Sequence, residues 1–266
     1  VVENISTIVG TDSDVELRWT QDPAFIAATY SITKSVNGNF DTNTSTTTTY
    51  VDEEYLNEVV SCYKISYTDA CNNKSPVSLD ACPVKLIATL QPNNAVSLSW
   101  SAYNGWKNGV DHYVVEKFNE QGQLVLTVTT GTATTYLDNV QDLSDQIAIY
   151  RITAVANQTG IVASVSNTFT ITKEPNLFYP TAFTPNGDGL NDIFNVFGQF
   201  ITNFEMRIFN RWGEMMYVTN DLEKGWDGTF KGSLMPEGTY VFRATLTDQA
   251  GRTFDQAGTV VLLKKD

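Results

Sequence analysis

Two stretches of this chain alternate apolar and polar residues and end in tryptophan: Val15-Glu-Leu-Arg-Trp19 and Val96-Ser-Leu-Ser-Trp100. A period of two puts one face of a strand in a core and the other in water. It does not suit a helix, whose apolar positions recur every three to four residues. Each stretch has matching companions downstream. Thr29-Tyr-Ser-Ile-Thr-Lys34 corresponds to His112-Tyr-Val-Val-Glu-Lys117, and Thr46-Thr-Thr-Thr-Tyr50-Val-Asp52 to Thr134-Thr-Tyr136-Leu-Asp138. Cys62-Tyr63-Lys-Ile65 corresponds to Ile149-Tyr150-Arg-Ile152. A repeat made of half-buried strands predicts two successive two-sheet sandwiches, over residues 1–82 and 84–173.

The chain is 266 residues long with 42% hydrophobic residues, enough for two or three small domains with cores of their own. The expected fold class is all-β, with three consecutive β-sandwich modules. Pro83, Pro175 and Pro180 stiffen the joints, so a rod-like row of modules is expected. The net charge of −13 argues against nucleic acid, whose phosphates call for clustered Lys and Arg, and against anionic lipid surfaces. No apolar run reaches the roughly eighteen residues of a membrane helix, so no direct membrane insertion is expected. The opening residues Val1-Val-Glu-Asn-Ile-Ser6 lack the basic and apolar regions of a signal peptide. The expectation is that the chain is the tail of a longer secreted precursor.

Cys62, Cys71 and Cys82 are the three cysteines, and His112 is the one histidine. A zinc site is therefore disfavoured, and a disulfide within one module is expected. A hairpin turning at Asn72-Asn73 would set Cys62 nearly opposite Cys82. That pairing is favoured, with 62–71 and 71–82 left open.

Residues 1–82 and 84–173 resemble fibronectin type III modules on these motifs. The resemblance implies that Trp19 packs with Tyr63 and Trp100 with Tyr150. Tyr103 and Trp106 lie in a polar loop, Ser101–Val110. They are either a loop plug or a pair of rings for stacking extracellular glycans, and packing is the expected role.

Residues 176–266 read as a third all-β unit, an immunoglobulin-like sandwich. Strands are expected at 192–197, 203–210, 215–219, 238–248 and 253–264. Four segments stand out: Phe183-Thr-Pro-Asn-Gly-Asp-Gly-Leu-Asn-Asp-Ile-Phe194, Ile208-Phe-Asn-Arg-Trp-Gly213, Gly225-Trp-Asp-Gly-Thr229 and Pro236-Glu-Gly-Thr-Tyr-Val-Phe242. In this order and spacing they closely resemble the gliding motility-associated C-terminal domain, the type B sorting domain of the type IX secretion system. The resemblance implies a folded tail that directs a secreted bacterial protein, often a large adhesin, through an outer-membrane translocon. It also implies an outer-membrane partner of the PorP/SprF kind and attachment at the cell surface, with the first two modules as a stalk. The rivals are an accessory tail of a secreted polysaccharide-degrading enzyme and a glycan-binding module.

Two surfaces of the tail are candidates for partner binding. One is loop 184–192 with Arg211 and Trp212. The other is the last strand, Gly258 to Lys265, through Val260, Val261, Leu262 and Leu263, as an edge open to strand addition. The alternative for that strand is that it only completes the sandwich. Asn186, Asp188 and Asp192 are the metal candidates, for calcium. Set on an EF-hand loop, however, the pattern lacks the first Asp and the last Glu. The alternative is a turn whose Asx side chains bond their own backbone. No catalytic constellation is legible. The lone His112 sits in a strand next to Tyr113 and forms no catalytic His pair, and no elbow, Walker or zincin motif occurs.

Overall fold

The computed structural model describes residues 1–10, 14–24, 26–92, 94–139 and 145–264; Lys265, expected in the last strand, lies outside them. Among these residues the regular structure is all strand, and the fold is an all-β, sandwich-like one. The chain divides into two compact units, Val1–Gln141 with Ile147–Ile171, and Asp142–Gln146 with Thr172–Asp266.

The first unit holds two hydrophobic clusters. One runs from Val2 to Ala81 and contains Leu17, Trp19, Ile32, Tyr63 and Ile65. The other runs from Val84 to Ile171 and contains Leu98, Trp100, Val115, Tyr150 and Ile152. Strand Ile147–Ala156 shows strict alternation of buried and half-exposed residues, as its sequence dictates. Trp19 sets its ring edge-on against Tyr30 at 5.1 Å, and Trp100 against Tyr113 at 5.8 Å. The edge-on ring partners are thus the tyrosines of the third strands, within the clusters that also hold the expected Tyr63 and Tyr150. Those two are fully buried in the same clusters, but their hydroxyls reach elsewhere.

Both hydroxyls end on a buried carboxylate. Tyr63 donates to Asp52 at 2.6 Å, and Lys34 pairs with the same oxygen at 2.7 Å. Tyr150 donates to Asp138 at 2.7 Å, and Lys117 pairs there at 3.0 Å. Burial first, then the bond to the carboxylate, pushes both phenol pKa values far up. The repeat thus carries a Lys–Asp–Tyr cluster at equivalent positions, and each charge is compensated inside the core.

The two halves of this unit are bonded backbone to backbone. One sheet runs through Leu124–Thr129, Val110–Phe118, Ile147–Ala156, Ser164–Val165, Val2–Val9, Val15–Gln21 and Thr49–Asp52. The link is a parallel contact of Ile8 with Val165, flanked by Ser164 Oγ and Thr7 Oγ1 at 2.7 Å. Tyr103 donates its hydroxyl to the Ile5 carbonyl, and Trp106 Nε1 donates to Ser6 Oγ at 3.1 Å. Both rings are only 3% exposed. They plug the seam between the halves, and a ring stacked there is closed to a glycan. Cys62 is bonded to Cys82, with Cα atoms 4.1 Å apart, and Cys71 is an exposed free thiol.

The second unit has one five-stranded sheet. Its order is Ala182–Phe183, Thr253–Leu262, Gly238–Asp248, Ile201–Phe209, Met215–Thr219. Two short pairs complete it, Asn176–Phe178 with Phe197–Gln199, and Thr229–Phe230 with Ser233–Leu234. The expected strand at 192–197 does not form. Asp192 caps a loop, Phe194 makes only an isolated bridge to Trp226, and pairing starts at Phe197. The core is aromatic: Phe183 lies 5.5 Å from Trp226, Phe194 5.5 Å from Phe242, and Trp226 4.8 Å from Tyr240.

Two stability measurements follow from the buried carboxylates. Asp138→Ala leaves Lys117 buried without its carboxylate, so the first unit should lose about 3–5 kcal/mol in urea unfolding, with Tyr150→Phe costing less. In the second unit, Asp248 caps the turn to Arg252, accepting the Arg252 backbone N–H at 2.8 Å and its Nε at 2.7 Å. Burial alone would raise this carboxyl, but the bonds from Arg252 hold its pKa below the ordinary value. A depressed pKa stabilises the fold above the unfolded value of about 3.9, and the gain is lost as pH falls through the folded value. Asp248→Asn should therefore lower the melting temperature at neutral pH and flatten its decline below about pH 4.

Candidate functional site

The loop from Thr184 to Asp192 is built around one carboxylate. Gly187, Gly189 and Asn191 all have positive φ, which turns successive N–H groups inward. Asp192 Oδ1 accepts the N–H groups of Asn186 at 2.9 Å and Gly187 at 2.7 Å, and Oδ2 accepts that of Gly189 at 2.7 Å. Asp188 Oδ1 accepts the Leu190 N–H at 2.8 Å, and Oδ2 accepts from the Asn186 amide at 3.0 Å. Asn186 Oδ1 accepts the Asp188 N–H at 3.1 Å.

The three metal candidates therefore lie together, but their oxygens face the loop's own donors. Among the described residues no group of three His, Cys, Asp or Glu side chains is arranged to hold a metal ion. Calcium takes six to eight oxygens, so an ion here would need carbonyls or water beside Asn186, Asp188 and Asp192. The arrangement matches a turn closed by Asx side chains.

Arg211 and Trp212 sit at the tip of the hairpin between Ile201–Phe209 and Met215–Thr219. Asn210 Oδ1 accepts the N–H groups of Trp212 and Glu214, both at 3.0 Å, and fixes the turn. Trp212 is 77% exposed, with the Arg211 guanidinium stacked 4.6 Å from its ring centre. A cavity of about 330 Å³ lies beside them, lined by Met235, Pro236 and Tyr240 among others. A large ring held in water on a rigid turn is the residue type that anchors protein interfaces.

The last strand is not open where it was expected to be. Val260 and Leu262 are fully buried. Val261 donates its N–H to the Thr181 carbonyl at 2.9 Å, and Leu263 to the Phe183 carbonyl at 3.0 Å. Ala182–Phe183 thus covers that end in parallel register. The backbone groups of 260–263 that an added strand needs are already paired. His112 lies elsewhere, in strand Val110–Phe118, beside Asp111 at 2.7 Å.

Residues 177–262 match the family model of the CHU_C Type IX secretion signal domain. These residues are a type IX secretion signal domain. The signal domain marks the chain as part of a secreted protein exported across the outer membrane. No curated protein matches the chain. Among solved structures it is similar to a tetra-tandem repeat in the extending region of a large adhesion protein. That match has 13% identity over 97% of this chain and 74% of the other, with a TM-score of 0.31. It is also similar to a two-domain fibronectin type III segment from chicken tenascin, with 15% identity over 65% of this chain and 99% of the other, and a TM-score of 0.28. At such TM-scores neither likeness says anything of function.

The signal domain shows one surface that sequence reasoning missed. Phe178 and Phe197 face each other across a strand pair yet are 56% and 65% exposed. With Tyr179, Pro180 and Ile193 they line a groove of about 540 Å³ that also touches Asp192. The adjacent rings of Phe178-Tyr179 were the available clue, since neighbouring strand residues point to opposite faces.

Two measurements check the loop. Calcium and a chelator should give the signal domain the same melting temperature; a rise with calcium would show a bound ion. Asp192→Ala removes the acceptor for three N–H groups and should cost about 1–2 kcal/mol.

Proposed function

We propose that this chain is the C-terminal region of a large, adhesin-like surface protein, in which the signal domain is a folded address for type IX export. In this reading residues 1–82 and 84–173 are two non-catalytic stalk modules, and 176–266 is the type B sorting module. The sorting module engages the translocon and an outer-membrane partner of the PorP/SprF kind, and the product stays attached at the outer membrane. The observation that carries the proposal is the family match over 177–262, together with the role of its hallmark residues. Phe183, Phe194, Trp226, Tyr240 and Phe242 are all buried in one core, so the motif specifies a fold and not a thread.

A folded address is met at its surface. Trp212 with Arg211 supplies a desolvatable ring and a cation at one point. The Phe178/Phe197 groove supplies apolar area at another. Both are held by short hydrogen-bonded turns or strand pairs, so little conformational entropy is lost on docking.

The test is export of a reporter. Residues 174–266 fused behind a periplasmic reporter in a type IX-competent host should carry it outside the cell; a reporter retained in the periplasm refutes the role. Trp212→Ala should cut export several-fold while shifting stability by less than about 0.5 kcal/mol, because the ring is exposed. Unchanged export would remove Trp212 from the docking surface and leave the address role standing.

A further inference from the structure

The signal domain's sheet has one guarded edge and one open edge. The guarded one is Met215–Thr219, five residues long and broken by a register shift opposite Ile208 and Phe209. The other is Thr253–Leu262. This strand pairs with Gly238–Asp248 from Thr253 to Leu262 without a shift. Its outer side is covered only at Val261 and Leu262, by Ala182 and Phe183. Val261 and Leu263 send their N–H groups outward to that cover, so by strand parity Thr253, Asp255, Ala257 and Thr259 face outward too. Among the described residues no strand pairs with those four. The segment 253–259 has no proline, lysine or bulge, the usual guards of an edge.

The exposed face next to this edge is divided by charge. One row across the sheet is Val218, Arg207, Arg243, Ala257, and a neighbouring row is Glu205, Thr245, Asp255. Arg207 and Arg243 stand directly opposite each other, and Arg207 is paired with Glu205 at 2.8 Å. Arg243 stands opposite Ala257 of the edge strand, whose small side chain leaves room beside it.

We infer that a second copy of this chain pairs with the open edge, antiparallel and centred on Gln256. Only this kind of register matches outward residue to outward residue: Asp255 meets Ala257 of the second copy, and Thr253 meets its Thr259. No like charges face each other. The Arg207–Arg243–Ala257 row runs on into Asp255 and Glu205 of the second copy, and Arg243 reaches that Asp255 across Ala257. Two-fold symmetry makes the contact twice. The product is one continuous eight-stranded sheet, with Ala182–Phe183 of each copy at an end of the seam and the cationic half of each row meeting the acidic half of the other.

Sedimentation of the 266-residue chain from about 1 to 100 µM tests this. The expected result is a monomer–dimer equilibrium. Arg243→Glu should weaken the dimer by about tenfold or more, because it faces Asp255 of the second copy with a like charge. Adding Asp255→Arg to that variant should restore it. Ala257→Pro removes an outward N–H that the monomer does not use, and should abolish the dimer with the monomer's circular dichroism unchanged. In a Cys71→Ser background, Gln256→Cys lies on the two-fold axis and should form a disulfide-linked dimer on mild oxidation. A native chain that sediments as a monomer throughout, or a dimer that both Arg243→Glu and Ala257→Pro leave unchanged, overturns the inference.

Discussion

The packing of Phe183, Phe194, Trp226 and Phe242 is the interaction on which the signal domain depends. These four rings come from separate places: the two ends of the polar loop, a turn after Met215–Thr219, and the longest strand of the sheet. Each fully buried ring contributes on the order of 2–3 kcal/mol of transfer free energy. Ring–ring contacts at 5–6 Å add about 0.5–1.5 kcal/mol more per pair. The cluster also sets the backbone. Phe194 and Trp226 exchange both N–H···O bonds, at 2.8 and 3.1 Å. A side chain on Gly225 would lie 2.0 Å from Asn195 Oδ1 and 2.4 Å from the Phe194 carbonyl, so only glycine lets the two segments come this close. The loop between Phe183 and Phe194 therefore starts and ends on fixed points, and Asp192 needs only to gather the N–H groups inside it.

The first unit reaches order by a different route. Its cores are ordinary sandwiches, but each sets a lysine and a buried tyrosine on one buried aspartate. Such a cluster contributes little net free energy, since desolvation offsets most of the attraction. Its effect is on geometry. The carboxylate ties the end of one strand to the middle of another, and any shift by one residue would strand a charge in the core. The seam between the halves works in the same way. Tyr103, Trp106, Ser6, Thr7 and Ser164 satisfy one another there, so the joint is specific as well as apolar.

Much of this was legible in the chain because period-two alternation is a local signal. Val15–Trp19, Val96–Trp100 and Ile147–Ala156 announce their buried faces residue by residue. The misses came from distance. The glycan alternative for Tyr103 and Trp106 arose because their partners, Ile5 and Ser6, lie about a hundred positions away. Nothing local to Lys34 or Lys117 says that an aspartate will cover them. Residues 192–197 read as a strand because Ile193, Phe194, Val196 and Phe197 are dense in strand formers. Asp192, however, has three loop N–H groups to accept, and that outweighs propensity. Composition leaves the acidic loop open to a turn or a metal site, and the direction of each carboxylate bears on which it is. The last strand reads as an edge or as one that only completes the sandwich, and residues 181–183 close the end 260–263. Whether a strand is an edge depends on a neighbour far away in sequence.

Recognition of a folded domain is limited to what the core leaves outside, and here that remainder is small and stiff. Buried groups such as Val260 and Leu262 can influence a partner only by shaping the surface. Loop 184–192 spends Asp192 on its own N–H groups, and its outward face carries Asn186, Asp188, Asn191 and the Leu190 side chain, which is 71% exposed. The chain's net charge of −13 repels other acidic surfaces at long range, which gives the few outward cations a selective role. Arg211 on Trp212 is such a cation at the hairpin tip, and Arg243 beside Ala257 is another on the sheet face. Each sits where an acidic or aromatic counterpart gains by approaching and a basic one does not. The same small inventory of exposed groups therefore bears on both docking and self-pairing, and substitutions confined to one of the two arginines separate the effects.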